Sequence, residues 1–145
     1  MREPKLAAEL YDADFVLWLE EQGRALRQQR WADLDVPNLV EEVEALASSQ
    51  RRELDSRIKV VLVHLLKLAH QPERNSRSWK ITLLNQRDEL TQLIAASPSL
   101  RRLVPESIQR NYPRARRLAV LETGLSLKRF PPGCPFGVTD VLDGV

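Results

Sequence analysis

The chain has 145 residues, 43% apolar and 29% charged, with a formal net charge of +2. That balance is ordinary for a globular domain and argues against disorder, and runs such as Val60–Val63 fall far short of the roughly 20 apolar residues of a bilayer span. The opening MREPKLAAELYDADF carries acids and no long apolar stretch, so it reads as no export signal; a single cysteine, Cys134, excludes an internal disulfide and makes the cytoplasm the default compartment.

In chain order, the first element is expected to start near Asp12 or Asp14, either of which can cap the free amides of a helix start. Phe15, Trp18, Leu19, Gln22 and Leu26 then recur at helical spacing and carry that helix to about Gln29. Trp31 and ADLDVP form a turn. Asp35-Val36-Pro37 signals a second start, because proline is tolerated in a first turn whose amides have no acceptors. From there apolar residues keep a three-to-four spacing from Val36 to Leu65, with no Pro or Gly between Pro37 and Pro72. The pattern predicts one long second helix over 36–70, with Ser48–Ser49 the place for a bend. Its second half, KVVLVHLLKLA, is apolar nearly all round, as a helix central to a bundle would be.

QPERNSRS is a polar connection with Ser76 and Ser78 as caps. A third helix follows, with Trp79, Leu83, Leu90, Leu93 and Ile94 on one side and an end near Ala96. Residues 98–104 are expected to form a short turn. A last helix is predicted from 106 to Thr123, kinked or restarted at Pro113, where an interior proline removes a backbone donor. Gly124 suits the position after a helix, where φ is often positive. The tail with FPPGCPFG is read as irregular, with one short turn at 139–142. The expected architecture is all-α: a single domain over 1–145, a compact four- or five-helix bundle with a long central second helix, its core spanning about 11–124.

Several chemical signatures are missing. The five glycines form no phosphate loop, and there is no Gly-x-Ser-x-Gly elbow or paired Cys-x-x-Cys. His64 and His70 are six residues apart and diverge on a helix, where a shared metal wants i, i+4. Val61 and Lys67 stand where a Glu-x-x-His pattern would need acids. No metal or cofactor is therefore assigned.

Helical projection places Glu42, Leu46, Glu53, Arg57, Val60 and His64 along one flank of the long helix, with Glu53 and Arg57 spaced to pair. This flank reads first as the rim of the core. The alternative makes His64 a general base or ligand, with Glu42, Glu122 and Arg57 as accompanying candidates. Glu122 projects near the apolar side of the last helix. It reads first as a residue of a fraying helix end that reaches water near the rim, and otherwise as an inward carboxylate for which Arg57, Arg77 or His64 are the candidate partners.

Charge is uneven along the chain. Residues 1–72 hold ten Lys/Arg against thirteen Asp/Glu, whereas residues 73–145 hold twelve against seven. Arg110, Arg114 and Arg117 recur at i, i+4, i+7, with Arg101 and Arg102 nearby, and would form a stripe able to contact phosphates in a salt-dependent way. The same stripe is equally readable as a solvated face. In RNSRSWK, Arg74, Arg77 and Lys80 surround Trp79, which is better explained as a core anchor. Nothing around Cys134 marks an activated thiolate.

The segments YDADFVLWLEEQ, LDVPNLVEEVEAL, SQRRELDSRIKVVLVHLLKLAHQPERNSRSW, QRDEL, SPSLRR, LETGL and FPPGCPF occur in an order that resembles domain-of-unknown-function family number twenty-nine, small proteins of cyanobacteria and proteobacteria. The resemblance covers about residues 11–142, and its central block runs from Ser49 to Trp79. Gly137, in FGVTDVL, departs from the turn-starting residue expected there. The resemblance implies an all-helical bundle and implies no activity.

Three functions follow in order of preference. The first is an interaction module binding a protein partner or itself. The second is a nucleic-acid-binding module using Arg101, Arg102, Arg110, Arg114 and Arg117. The third is an enzyme or metal site centred on His64. No membrane association is expected.

Overall fold

The computed structural model describes residues 4–74 and 76–143, with side chains from Leu6 onward. Among these residues there are six α-helices and no strand: α1 (Pro4–Ala13), α2 (Phe15–Arg27), α3 (Val36–His70), α4 (Arg77–Ala96), α5 (Val104–Thr123) and α6 (Val138–Leu142). The fold is all-α. The long helix has the expected bounds and runs unbroken through Ser48–Ser49, but it is the third helix, because α1 precedes the first one anticipated. The chain divides into two compact units, Met1–Ser49 and Gln50–Val145.

In the N-terminal unit a single residue separates α1 from α2. Asp14 has extended backbone (φ −153°), its amide donates to Leu10 O, and its carboxylate accepts from the Leu17 amide at 3.0 Å. This satisfies an amide that the first turn of α2 leaves without a helical acceptor. Burial on α2 falls on Trp18, Gln22 and Ala25. Phe15, Leu19 and Leu26, expected on the inner side, are 43%, 44% and 46% exposed. The register is turned toward Trp18 by polar bonds. Its indole Nε1 donates to Asp35 Oδ2 (3.0 Å), while Gln22 Oε1 accepts from the Asp35 amide (2.7 Å).

Helix α2 closes with a Schellman motif. The Arg30 amide reaches Ala25 O (2.9 Å), the Gln29 amide reaches Leu26 O (3.1 Å), and Gln29 holds the left-handed turn at φ 57°. That position normally takes glycine, because a Cβ there crowds the following carbonyl. A 3-10 turn, Trp31–Asp33, leads to Asp35 and α3. The Leu39 amide bonds Asp35 O, and Pro37 occupies a first-turn site where no donor is missed.

The C-terminal unit packs the later half of α3 against α4, α5 and α6. Leu54, Ile58, Val61, Leu62 and Leu66 of α3 meet Leu83 and Leu90 of α4 and Val104, Ile108 and Tyr112 of α5. Ser76 caps α4 through Oγ to the Trp79 amide (3.3 Å). Pro98–Leu103 is a 3-10 turn that buries Leu100. Helix α5 starts two residues earlier than expected, which places Pro105 in its first turn, and continues through Pro113 without restarting. Gly124 ends it at φ 72°.

The tail departs most from expectation. Residues 125–143 contribute to the core: Phe130, Val141 and Leu142 are buried, and Tyr112 Oη donates to Pro131 O at 2.5 Å. The Arg116 guanidinium donates to Phe130 O (2.9 Å) and Leu127 O (3.0 Å), and Arg87 donates to Asp140 O (2.6 Å) and Val141 O (3.3 Å). Two arginines thus satisfy the carbonyls of a segment too irregular to satisfy its own. Burial lowers the Arg87 pKa and raises those of Tyr112 and Cys134.

Candidate functional site

The first candidate surface lies on the N-terminal unit. On α3, Val36, Val40, Val43 and Leu46 are 55%, 47%, 64% and 66% exposed. Val36, Leu39, Val40 and Val43, with Glu44 at the margin, line an open groove of about 300 Å³. The 36, 40, 43 spacing puts Val36, Val40 and Val43 on one stripe, with Leu46 on its flank, the pattern of a helix built to meet an apolar partner. On α2, Val16 (63% exposed), Leu19 and Leu26 with Gly23 form a second outward stripe at i, i+3, i+7, i+10. Apart from its own stretch of helix, no atom of the described residues lies within 4 Å of where a Gly23 Cβ would stand.

The unit's polar interior has a different role. Asp35 Oδ2 accepts from Trp18 and also from Asn38 Nδ2 (2.7 Å), and Asp33 pairs with Arg30. Tyr11 Oη donates to Glu42 Oε1 at 2.5 Å. That bond to a carboxylate, together with burial and the neighbouring acids, pushes the phenol up to about 12. Glu42 is therefore engaged by Tyr11 inside the N-terminal unit, whereas His64, Arg57 and Glu122 belong to the C-terminal unit.

In the C-terminal unit, His64 is half-buried. Its Nδ1 lies 2.8 Å from Val60 O; a carbonyl only accepts, so Nδ1 is the donor of this bond. Arg57 pairs with Glu53 as expected (3.0 Å) and also reaches Glu89 (3.5 Å) and Gln86 (3.3 Å). Glu122 finds none of the three partners anticipated for it. Its carboxylate meets Lys67 Nζ at 2.9 Å, and the same ammonium sits 4.5 Å from the centre of the Trp79 ring. Lys67 is buried, and no sequence pattern marked it, because it falls within a run that is otherwise almost wholly apolar. Among the described residues no group of three or more His, Cys, Asp or Glu side chains is placed to hold a metal ion.

The arginines separate into two sets. Arg110 donates to Asp55 Oδ1 (2.6 Å) and lies 3.6 Å from Glu106; Asp55 also accepts from Ser107 Oγ (2.5 Å) and Asn111 Nδ2 (3.3 Å). Arg116, which the sequence did not single out, holds the tail. Arg101, Arg102, Arg114 and Arg117 are exposed and, among the described residues, their side chains make no ion pair or hydrogen bond. Because α5 is continuous, Arg110, Arg114 and Arg117 keep their common stripe.

A cleft of about 550 Å³ also opens on the C-terminal unit, with Leu83, Leu84 and Leu142 as its floor and Lys80, Arg87 and Asp88 around it. Arg87 is committed there to the carbonyls of α6. Among the described residues no helix is long and apolar enough to cross a membrane.

No curated protein and no solved structure matches the chain. A family model matches residues 10–144, nearly the whole length and all the segments on which the resemblance rests, and the chain belongs to the family described as Domain of unknown function DUF29.

Proposed function

We propose that this chain is a small cytoplasmic bacterial interaction module, which binds a protein partner or itself through the apolar face of its N-terminal unit. The observation that carries the reading is the outward stripe Val36, Val40, Val43 and Leu46, each about half exposed or more. Single exposed apolar residues need no explanation, but four on one helix, three of them lining a groove, do. Covering them would remove apolar surface from water at about 25 cal/mol per Å². The test is a Val43→Cys protein, with Cys134 changed to Ser, labelled with a polarity-sensitive dye. Emission should shift to the blue, and quenching should fall, either as the pure protein is concentrated or when extract from its source cells is added. A dye that stays equally quenched in both conditions would refute the reading.

A second reading is nucleic-acid binding through Arg101, Arg102, Arg114 and Arg117. It is favoured by the unbroken course of α5 past Pro113, which keeps Arg114 and Arg117 on one exposed stripe. Charge follows the same division: residues 50–145 hold seventeen Lys/Arg against nine Asp/Glu, and residues 1–49 five against eleven. Fluorescence anisotropy against duplex DNA and structured RNA, at low and at physiological salt, tests it. Binding should be lost with Arg114→Ala plus Arg117→Ala; no binding at low salt removes the reading.

A further inference from the structure

We infer that the α3 groove of the N-terminal unit takes α2 of a second copy of the chain, so that the protein is a twofold dimer. This rests on the interaction-module reading and names its partner. The groove needs an apolar helix edge flanked by a cation, because exposed Glu44 stands at its margin and exposed Glu41 one turn away. Two α3 stripes facing each other would set these acids against their own copies, and like charges brought together oppose association.

The chain carries the complementary edge itself. Val16, Leu19, Gly23 and Leu26 face outward on α2, and helical projection puts Arg27 beside Gly23 and Val16. Arg27 is exposed and, among the described residues, has no ion pair. Both stripes advance in steps of three and four residues, the repeat that lets one helix edge lie in the furrow of another. In a twofold pair the α2-to-α3 contact is made twice, as an isologous interface requires.

Gly23 adds an independent argument. It lies inside a helix, where glycine is less favourable than alanine. Its φ is not positive, and among the described residues nothing beyond its own stretch of helix approaches the Cβ it lacks. The described residues give no reason for it, whereas a helix of another copy lying close across α2 does. Area agrees. The two stripes expose on the order of 600 Å² of apolar side chain per copy, so a pair buries roughly 1,200 Å², the lower end for specific interfaces. An interface at this end of the range makes dimerisation concentration-dependent.

Sedimentation velocity of the full chain, from low to several hundred micromolar, tests the proposal. The expected result is a shift from 16.7 kDa toward twice that mass. Val43→Glu and Arg27→Glu, both at exposed positions, should each weaken dimerisation at least about tenfold with helicity by circular dichroism unchanged. Combining Arg27→Glu with Glu44→Arg should restore it. A chain that stays monomeric while its Val43 dye is covered in extract overturns the second-copy partner and leaves the interaction module standing. A monomer whose dye is quenched everywhere overturns both. A dimer indifferent to Val43→Glu, or not restored by the charge swap, overturns the α2-to-α3 pairing.

Discussion

Glu122→Gln removes the only carboxylate that the described residues offer the buried Lys67 ammonium, and its cost follows from where each partner sits. The Lys67 side chain is 9% exposed and Glu122 46%, so the pair is desolvated on one side and screened on the other. Exposed pairs contribute about 0.2–1 kcal/mol, whereas orphaning one member of a fully buried pair costs about 3–5 kcal/mol. The Trp79 ring, 4.5 Å from Nζ, still supports the cation at roughly 0.5–1 kcal/mol. Glu122→Gln should therefore destabilise the C-terminal unit by about 1–2 kcal/mol. Lys67→Met removes the charge that needs a partner while keeping the apolar stem, and should lie within about 1 kcal/mol of the parent. The double variant should resemble Lys67→Met rather than add the two costs. Urea titrations followed by fluorine NMR of 5-fluorotryptophan protein resolve Trp79 from Trp18 and Trp31 and report the relevant unit. A neutral Glu122→Gln together with a Lys67→Met that costs more than about 3 kcal/mol would refute the reasoning, because the lysine would then act through something other than this pair.

Gln29→Gly should stabilise the N-terminal unit by about 0.5–1 kcal/mol, the relief of a left-handed Cβ less the entropy glycine adds to the unfolded chain; slower hydrogen exchange at residues 29 and 30 would report it, and faster exchange would contradict the Schellman geometry. Phe130→Ala should cost about 3–5 kcal/mol, since the ring is buried and meets His70 edge-on at 5.3 Å; a loss below 1 kcal/mol would mean that the tail is not core. Alkaline titration at 295 nm should show neither tyrosine ionising at its ordinary value, with an inflection near 12 that Tyr11→Phe removes. Because the folded state holds the Tyr11 proton more tightly than the unfolded chain, this contribution to stability is full below pH 10 and is lost as pH rises from 10 to about 12. Glu42→Gln should move that inflection back toward 10.

Helix α3 was legible because its bounds are written in local chemistry: Asp35 and Pro37 at one end, Pro72 beyond the other, and apolar spacing between them. Helix α1 carries a fainter signal. Ala7, Leu10, Tyr11 and Asp14 stand at i, i+3, i+4, i+7, but half of that set is small or polar, so the periodicity is weak. The turn of α2 toward Trp18, away from Leu19 and Leu26, depends on bonds from Trp18 and Gln22 to Asp35, more than a dozen residues along the chain. Periodicity ranks residues by apolarity and does not see such bonds. Lys67 was hidden for a similar reason, since a buried lysine becomes intelligible only when Glu122 and Trp79 arrive from other helices. Pro113 misled in the opposite direction. It removes one amide and leaves the remaining rungs of a twenty-residue helix, with a buried face from Val104 to Ala119, to hold the course.

Arg116 lies among six arginines between residues 101 and 117, yet its guanidinium holds Phe130 and Leu127 carbonyls, and Arg110 is neutralised by Asp55. Four of the six remain to meet an anion. If each of the four contacts one phosphate, the logarithm of the binding constant on duplex DNA should fall with that of salt at a slope of about −3.6, and affinity should drop roughly 150-fold between 50 and 200 mM. A polyanion held by this face alone would be gripped at low ionic strength and largely released in the cell.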